Sequence, residues 1–61
     1  MKATDIKPGI EVKLQNGTIF IIESIENGFV RSSLKGGSKN NYRTELNDAV
    51  DFFNEEKAII L

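Results

Sequence analysis

Apolar residues follow the spacing of β-strands along the first half of the chain. Alternate positions over residues 10–15 are apolar, which predicts a first strand with one buried face. A second strand is predicted over residues 18–25 and a third over residues 29–34. Because residues 19–22 are apolar at every position, the second strand is either covered on both sides or strongly bent. We expect the bent strand in so short a chain.

Two Asn-Gly steps separate these strands, Asn16 with Gly17 and Asn27 with Gly28. An Asn-Gly pair accommodates positive φ at both central positions of a type I′ turn, whose twist matches that of the strands it joins. The sequence therefore predicts two type I′ hairpins and a three-stranded antiparallel meander.

The remaining sequence alternates between polar and apolar segments. Residues 35–41 are polar and include two glycines, so we interpret them as a mobile loop. A short strand is predicted over residues 42–44. Residues 58–61 are apolar and are predicted to form the final strand.

A helical spacing of apolar residues precedes this last strand. The stripe of residues 46, 49, 50 and 53 predicts one short helix or a 3-10 turn near residues 45–54. Thr44 and Asn47 are the candidate N-caps, and Asn54 is the expected end.

A meander followed by a terminal strand, within 61 residues, predicts a single mostly β domain over residues 1–61 with the fold of a small SH3-like barrel. Closure of the barrel would remove the exposed strand edges. If the last strand were left uncovered, it would offer an edge for strand addition, so we expect a monomer or a weak homodimer. The predicted core comprises Ile6, Ile10, Val12, Leu14, Phe20, Ile22, Ile25, Val30, Leu34, Leu46, Val50, Phe53 and Ile59. In the second strand, Ile19 and Ile21 compete with Phe20 and Ile22 for the buried face.

The composition is that of an ordinary globular domain, with 39% hydrophobic and 28% charged residues. The chain has no cysteine and no histidine, so neither a disulfide nor an ordinary structural zinc site is expected to stabilise it. The longest apolar run is far shorter than a membrane span, and we find no apolar stretch of signal-peptide length. We therefore expect a cytoplasmic protein.

Residue types with catalytic chemistry are scarce. Ser38 beside Lys39 is a formal nucleophile and base pair, but both lie in the predicted loop. Asp48 and Asp51 have the spacing of solvated acids on a helix. The glycines of the loop do not match the spacing of a phosphate-binding loop. We predict no enzymatic activity, no cofactor and no metal site.

Charge is segregated although the net charge is only −1. Residues 28–44 carry four cations and no acid, and residues 45–56 carry five acids and no cation. We predict a module that binds a protein partner, and the alternative is weak binding of nucleic acid by the basic segment. No membrane partner is expected. The candidate interaction surface comprises Phe29, Arg31, Lys35, Lys39, Tyr42 and Arg43.

The chain resembles small SH3-like-barrel proteins of bacteriophages and integrated mobile elements. The resemblance lies in Lys7, Pro8 and Gly9 before an apolar strand and an Asn-Gly step, and in an Asn-Asp step at residues 47–48 before a closing apolar strand. It implies an SH3-like fold and a small accessory protein, and it brings no catalytic residue. The opening is also similar to KOW-type modules, although this chain lacks their further glycine and basic pattern.

Overall fold

The computed structural model describes residues 1–37 and 41–61 as one antiparallel sheet with a short helix on one face. This confirms a mostly β fold with one helix near residue 50. A single 3-10 turn over Ala3–Asp5 precedes the first strand. The remaining elements are β1 (Glu11–Lys13), β2 (Ile19–Glu26), β3 (Phe29–Leu34), β4 (Asn41–Glu45), α1 (Leu46–Glu55) and β5 (Ile59–Ile60).

The strand order is β4-β3-β2-β1-β5, and every neighbouring pair is antiparallel. The first four strands form the predicted meander, and β5 pairs with β1 on its other side. Strands β4 and β5 are the two edges of the described sheet, so the sheet is open rather than closed as predicted. Strand β5 has two residues, which leaves little ladder with which to close a barrel.

The hairpin between β2 and β3 has the predicted type I′ geometry. Asn27 has a φ of 51° and Gly28 a φ of 79°, so both central residues are left-handed. The carbonyl of Gly28 also accepts a hydrogen bond from the N–H of Leu46, at 2.8 Å. The turn thus fixes the point at which α1 begins.

The hairpin between β1 and β2 is different, and the type I′ prediction is wrong there. Only Gly17 has a positive φ, of 94°, and its N–H donates to the carbonyl of Leu14 at 3.0 Å. The N–H of Leu14 donates to the carbonyl of Thr18 at 2.7 Å, which gives a three-residue connection. The side-chain oxygen of Asn16 accepts the N–H of Thr18 at 2.9 Å, so the side chain stabilises a different turn.

A β-bulge interrupts β2 between Ile22 and Ser24. The extra residue, Glu23, shifts the alternation, so Ile22 and Ile25 both lie on the inner face of the sheet, the face that carries the core. Bulges bend a strand and increase its twist, in agreement with the bent strand expected from the apolar run. Phe20 lies on this inner face and Ile21 on the outer one. The core therefore contains Phe20 and Ile22 rather than Ile21.

Helix α1 is an α-helix rather than a 3-10 turn, and neither predicted cap residue occupies its N-cap. Glu45 is the N-cap and makes no capping hydrogen bond with its side chain. The hydrogen bond from the first helical N–H to Gly28 supplies one of the partners that a cap would provide.

The helix ends one residue beyond the predicted Asn54, in a left-handed turn at Lys57, where φ is 50°. The N–H of Ala58 donates to the carbonyl of Phe53 at 2.9 Å, and the N–H of Lys57 donates to the carbonyl of Asn54 at 3.1 Å. These two bonds define a Schellman motif, whose left-handed position is usually glycine.

The core lies between the inner face of the sheet and α1. Its buried members are Ile6, Val12, Leu14, Ile22, Val30, Ala49 and Phe53. All of these were predicted except Ala49. A second group of predicted core residues is half-buried against them: Ile10, Phe20, Ile25, Leu46 and Val50.

Two predicted core residues lie outside this cluster. Ile59 is 59% exposed because it pairs with Lys13 at the edge of the sheet and lies on the outer face. Leu34, at the end of β3, is half-buried and does not belong to the cluster. The core is therefore concentrated in the middle of the sheet.

The predicted loop over residues 35–41 begins with a turn at residues 35–36, and its last residue, Asn41, is the first residue of β4. Residues 38–40, which include the candidate Lys39 and the pair of Ser38 with Lys39, lie outside the described residues.

Candidate functional site

The pairing of β3 with β4 divides the predicted interaction surface between the two faces of the sheet. Arg31 pairs directly with Arg43, and both lie on the outer face beside Phe29. Tyr42 pairs with buried Ser32 and lies on the inner face. The structure therefore brings three of the predicted residues together on the outer face and places the side chain of Tyr42 on the inner face, because neighbouring residues of a strand point to opposite faces.

Phe29, Arg31 and Arg43 form what we call the arginine surface. The guanidinium carbon of Arg43 lies 4.3 Å from the centre of the Phe29 ring, a cation–π contact. Arg31 lies opposite Arg43, where two like charges disfavour each other. A shallow depression of about 230 Å³ lies over these residues, and Tyr42, at the edge of the sheet, also borders it.

Acidic residues share the outer face with the arginine surface. Glu26 pairs with Phe29 on one side, and Glu45 pairs with Phe29 on the other. Glu23 in the bulge accepts a hydrogen bond from the hydroxyl of Ser33, at 3.1 Å. These carboxylates offset much of the positive potential that the two arginines produce.

The fifth described residue of the predicted surface, Lys35, lies next to β1. Its ammonium nitrogen is 2.9 Å from a carboxylate oxygen of Glu11. This is the one ion pair found within residues 1–37 and 41–61. Lys35 is thus separate from the arginine surface.

A second concave surface lies on the inner face, between the β3–β4 hairpin and α1. It is an open groove of about 320 Å³, which we call the aromatic groove. Its walls are mostly apolar, with the hydroxyl-bearing side chains of Ser32, Tyr42 and Thr44 on the strand side. The lining residues are Phe20, Val30, Ser32, Tyr42, Thr44, Ala49, Phe52 and Phe53.

The rings of the groove pack around Phe20. Its ring centre lies 5.8 Å from that of Tyr42 and 6.2 Å from that of Phe52, both in edge-to-face geometry. The ring of Phe53 is 6.0 Å away on the buried side. Edge-to-face pairs at these distances are favourable, so the cluster holds its shape.

Two of these rings remain accessible at the opening of the groove. Tyr42 is 39% exposed and Phe52 is 41% exposed, whereas Phe53 is 4% exposed. Phe53 belongs to the buried stripe of α1, and Phe52, one position earlier, lies at the boundary of that stripe. The sequence prediction missed Phe52 and Phe20 as site residues. The sequence signal for Phe52 was its position next to Phe53, because a helix stripe that fully buries one of two adjacent residues leaves the other partly exposed.

The helix surface beside Phe52 is acidic. Asp48 lies four residues before Phe52 and Glu55 three residues after it, so both are its neighbours on the helix. Both are exposed. The aromatic groove thus has an apolar interior and an acidic border on its helix side.

Comparisons of the chain with protein-family models, with curated proteins and with solved structures found no match. The arginine surface and the aromatic groove are therefore the two features of the molecule that indicate a function. In the described part of the chain, no helix has the length and apolar character needed to cross a membrane.

Proposed function

We propose that this chain is a small non-catalytic interaction module that binds a protein partner through the aromatic groove. The observation that carries the proposal is the exposure of Tyr42 and Phe52 at the opening of an apolar groove. Aromatic rings gathered around a concave surface are typical of sites that bind other molecules.

The position of the groove favours an extended protein segment as the occupant. Strand β4 lies at the edge of the sheet, next to the groove, and Tyr42 and Thr44 project from it towards the groove. An extended segment that adds to an edge strand gains main-chain hydrogen bonds and places alternate side chains on one face. Those side chains would enter the groove between Tyr42 and Phe52.

The exposed parts of the two rings set the expected strength of binding. About two fifths of the surface of each residue, Tyr42 and Phe52, is exposed and can still be buried. Full burial of an aromatic side chain contributes about 1.5–3 kcal/mol, so completing both contributes about 1–2 kcal/mol. The partner's own side chains add the rest, and we expect affinities of about 1–100 μM for a short segment.

We also propose an SH3-like fold for the chain and a type of protein to which it belongs. Four strands in a meander, a fifth beside the first and a bulge in the second strand support an SH3-like assignment. Together with the resemblance of the opening residues, this supports a cytoplasmic accessory protein of the phage or mobile-element type. The role of the groove does not depend on that setting.

Selection from a random-peptide display library tests the proposal. The wild-type chain is the bait, and each recovered peptide is then synthesised and titrated by fluorescence anisotropy. We expect Phe52→Ser to weaken binding by about three- to eightfold, and Tyr42→Ala to act in the same direction. The matched control is Arg31→Ala on the outer face, which leaves the affinity unchanged. Recovery of no peptide, or equal affinity for Phe52→Ser and the wild type, would contradict the proposal.

The arginine surface supports a second candidate function, weak binding of nucleic acid. Arg31 and Arg43 lie side by side, and neither forms an ion pair within residues 1–37 and 41–61. Titration with single- and double-stranded oligonucleotides at low salt tests it, because electrostatic binding is strongest there. If this candidate is right, the double variant Arg31→Ala and Arg43→Ala loses binding while Phe52→Ser retains it. An absence of binding at high micromolar protein would exclude it.

A further inference from the structure

We infer that the segment bound in the aromatic groove is basic as well as apolar: a bulky apolar side chain next to lysine or arginine. This inference depends on the proposed function, and it names the chemistry of the partner. It follows from the negative charges of α1 beside the groove and from the positions of the cations of the β3–β4 hairpin.

The charged side chains next to Phe52 on its own face of α1 are negative. Asp48 and Glu55 lie one helical turn to either side of Phe52, on the same face of α1. Both are exposed, residues 45–56 contain no cation, and the N-terminal ammonium of Met1 donates to the side-chain oxygen of Asn54 rather than to either carboxylate. An occupant of the groove therefore meets a row of carboxylates along α1.

The cations of the hairpin are directed away from this row. Arg31 and Arg43 lie on the outer face, and the guanidinium of Arg43 is held over Phe29. The ion pair of the described residues joins Lys35 to Glu11. The carboxylates of α1 are thus not paired within the described residues, and a partner's cation can approach them without displacing an internal one.

The size of the effect follows from the exposure of these groups. Exposed ion pairs are individually weak, and each changes a dissociation constant by about two- to fivefold. A row of like charges also attracts an oppositely charged segment before contact and repels an acidic one, and both effects weaken as salt increases. The groove therefore supplies most of the affinity, and the acidic row selects among apolar segments.

The display selection provides the test. Among peptides whose binding is lost with Phe52→Ser, we expect lysine or arginine to be enriched within a few positions of the bulky apolar residue. The double variant Asp48→Asn and Glu55→Gln should bind such a peptide about four- to tenfold more weakly than the wild type does. A version of the peptide with glutamine in place of its cations should bind the double variant and the wild type equally well. Glu26→Gln, on the other face, is the control and leaves both affinities unchanged.

Different results would overturn the basic character of the bound segment and the binding function of the groove. Peptides that require Phe52 but lack cationic enrichment, or that bind the double variant as tightly as the wild type, would overturn the inference and leave the proposed function intact. An absence of peptides that require Phe52 would overturn both. Asp48 lies in the first turn of α1, so circular dichroism must show that the double variant is folded. If it is not folded, Glu55→Gln alone carries the test, because loss of an acid near a helix C-terminus does not weaken the helix.

Discussion

Replacement of Lys57 by glycine is expected to stabilise the protein. Lys57 occupies the left-handed position of the Schellman motif that ends α1, with a φ of 50°. For a residue with a β-carbon, left-handed geometry costs roughly 1–2 kcal/mol, and glycine avoids that cost. Both backbone hydrogen bonds of the motif, to the carbonyls of Phe53 and Asn54, remain available to glycine.

Two opposing effects reduce the gain. Glycine has more freedom in the unfolded chain, which costs about 0.4–1 kcal/mol, and loss of a cation near the C-terminus of α1 costs about 0.3 kcal/mol. The net stabilisation by Lys57→Gly is about 0.5 kcal/mol. With an unfolding entropy of about 2.1 cal/mol/K for each of 61 residues, this gain raises the Tm by about 4 °C.

Thermal unfolding followed by circular dichroism measures this change, and urea unfolding gives the free energy directly. Lys57→Ala is the matched control, because it removes the charge but keeps a β-carbon in the left-handed position. We expect the alanine variant to be no more stable than the wild type. If glycine and alanine gave the same Tm, or if glycine lowered it, the assignment of backbone strain to Lys57 would be refuted.

Three further predictions concern stability and are measured by urea unfolding. Ile22 is fully buried, so Ile22→Ala should lower the free energy of unfolding by about 3–4 kcal/mol, a large part of the stability of so small a domain. Ile22→Val should lower it by about 1 kcal/mol. A loss below about 1 kcal/mol for the alanine variant would place Ile22 outside the core. Gly28→Ala should cost about 1–2 kcal/mol because φ is 79° in the type I′ turn, and a neutral result would contradict that turn. Glu11→Gln removes the exposed pair with Lys35 and should cost less than about 1 kcal/mol; a larger cost, or one that persists at high salt, would contradict its exposure.

Where local chemistry decided the structure, the sequence was a sufficient guide. Asn27 and Gly28 formed the predicted turn, and the helical stripe located α1. At Asn16 the same dipeptide failed, because its side chain accepts the N–H of Thr18 and stabilises a longer connection. The left-handed Lys57 carries no sequence signal, since its φ goes with the hydrogen bonds that end α1 and not with a residue preference of lysine.

The residues of the candidate site could be grouped only once the register of the strands was known. Tyr42 and Arg43 are adjacent in the chain, so strand alternation places their side chains on opposite faces, and the register then shows that Tyr42 pairs with Ser32 and Arg43 with Arg31. Phe20 and Phe52 come together only through the packing of α1 on the sheet. The exposure of Ile59 likewise depends on its pairing at the edge of the sheet.

Mapping of backbone amide chemical shifts in the isotopically labelled protein is the most direct test of the groove as the binding site. A peptide from the display selection is added in steps, and the perturbed amides are located on the sheet and helix. The account predicts the largest changes around Val30, Tyr42, Thr44, Ala49 and Phe52, which line the groove. Changes centred on Phe29, Arg31 and Arg43, with the groove amides unmoved, would contradict it.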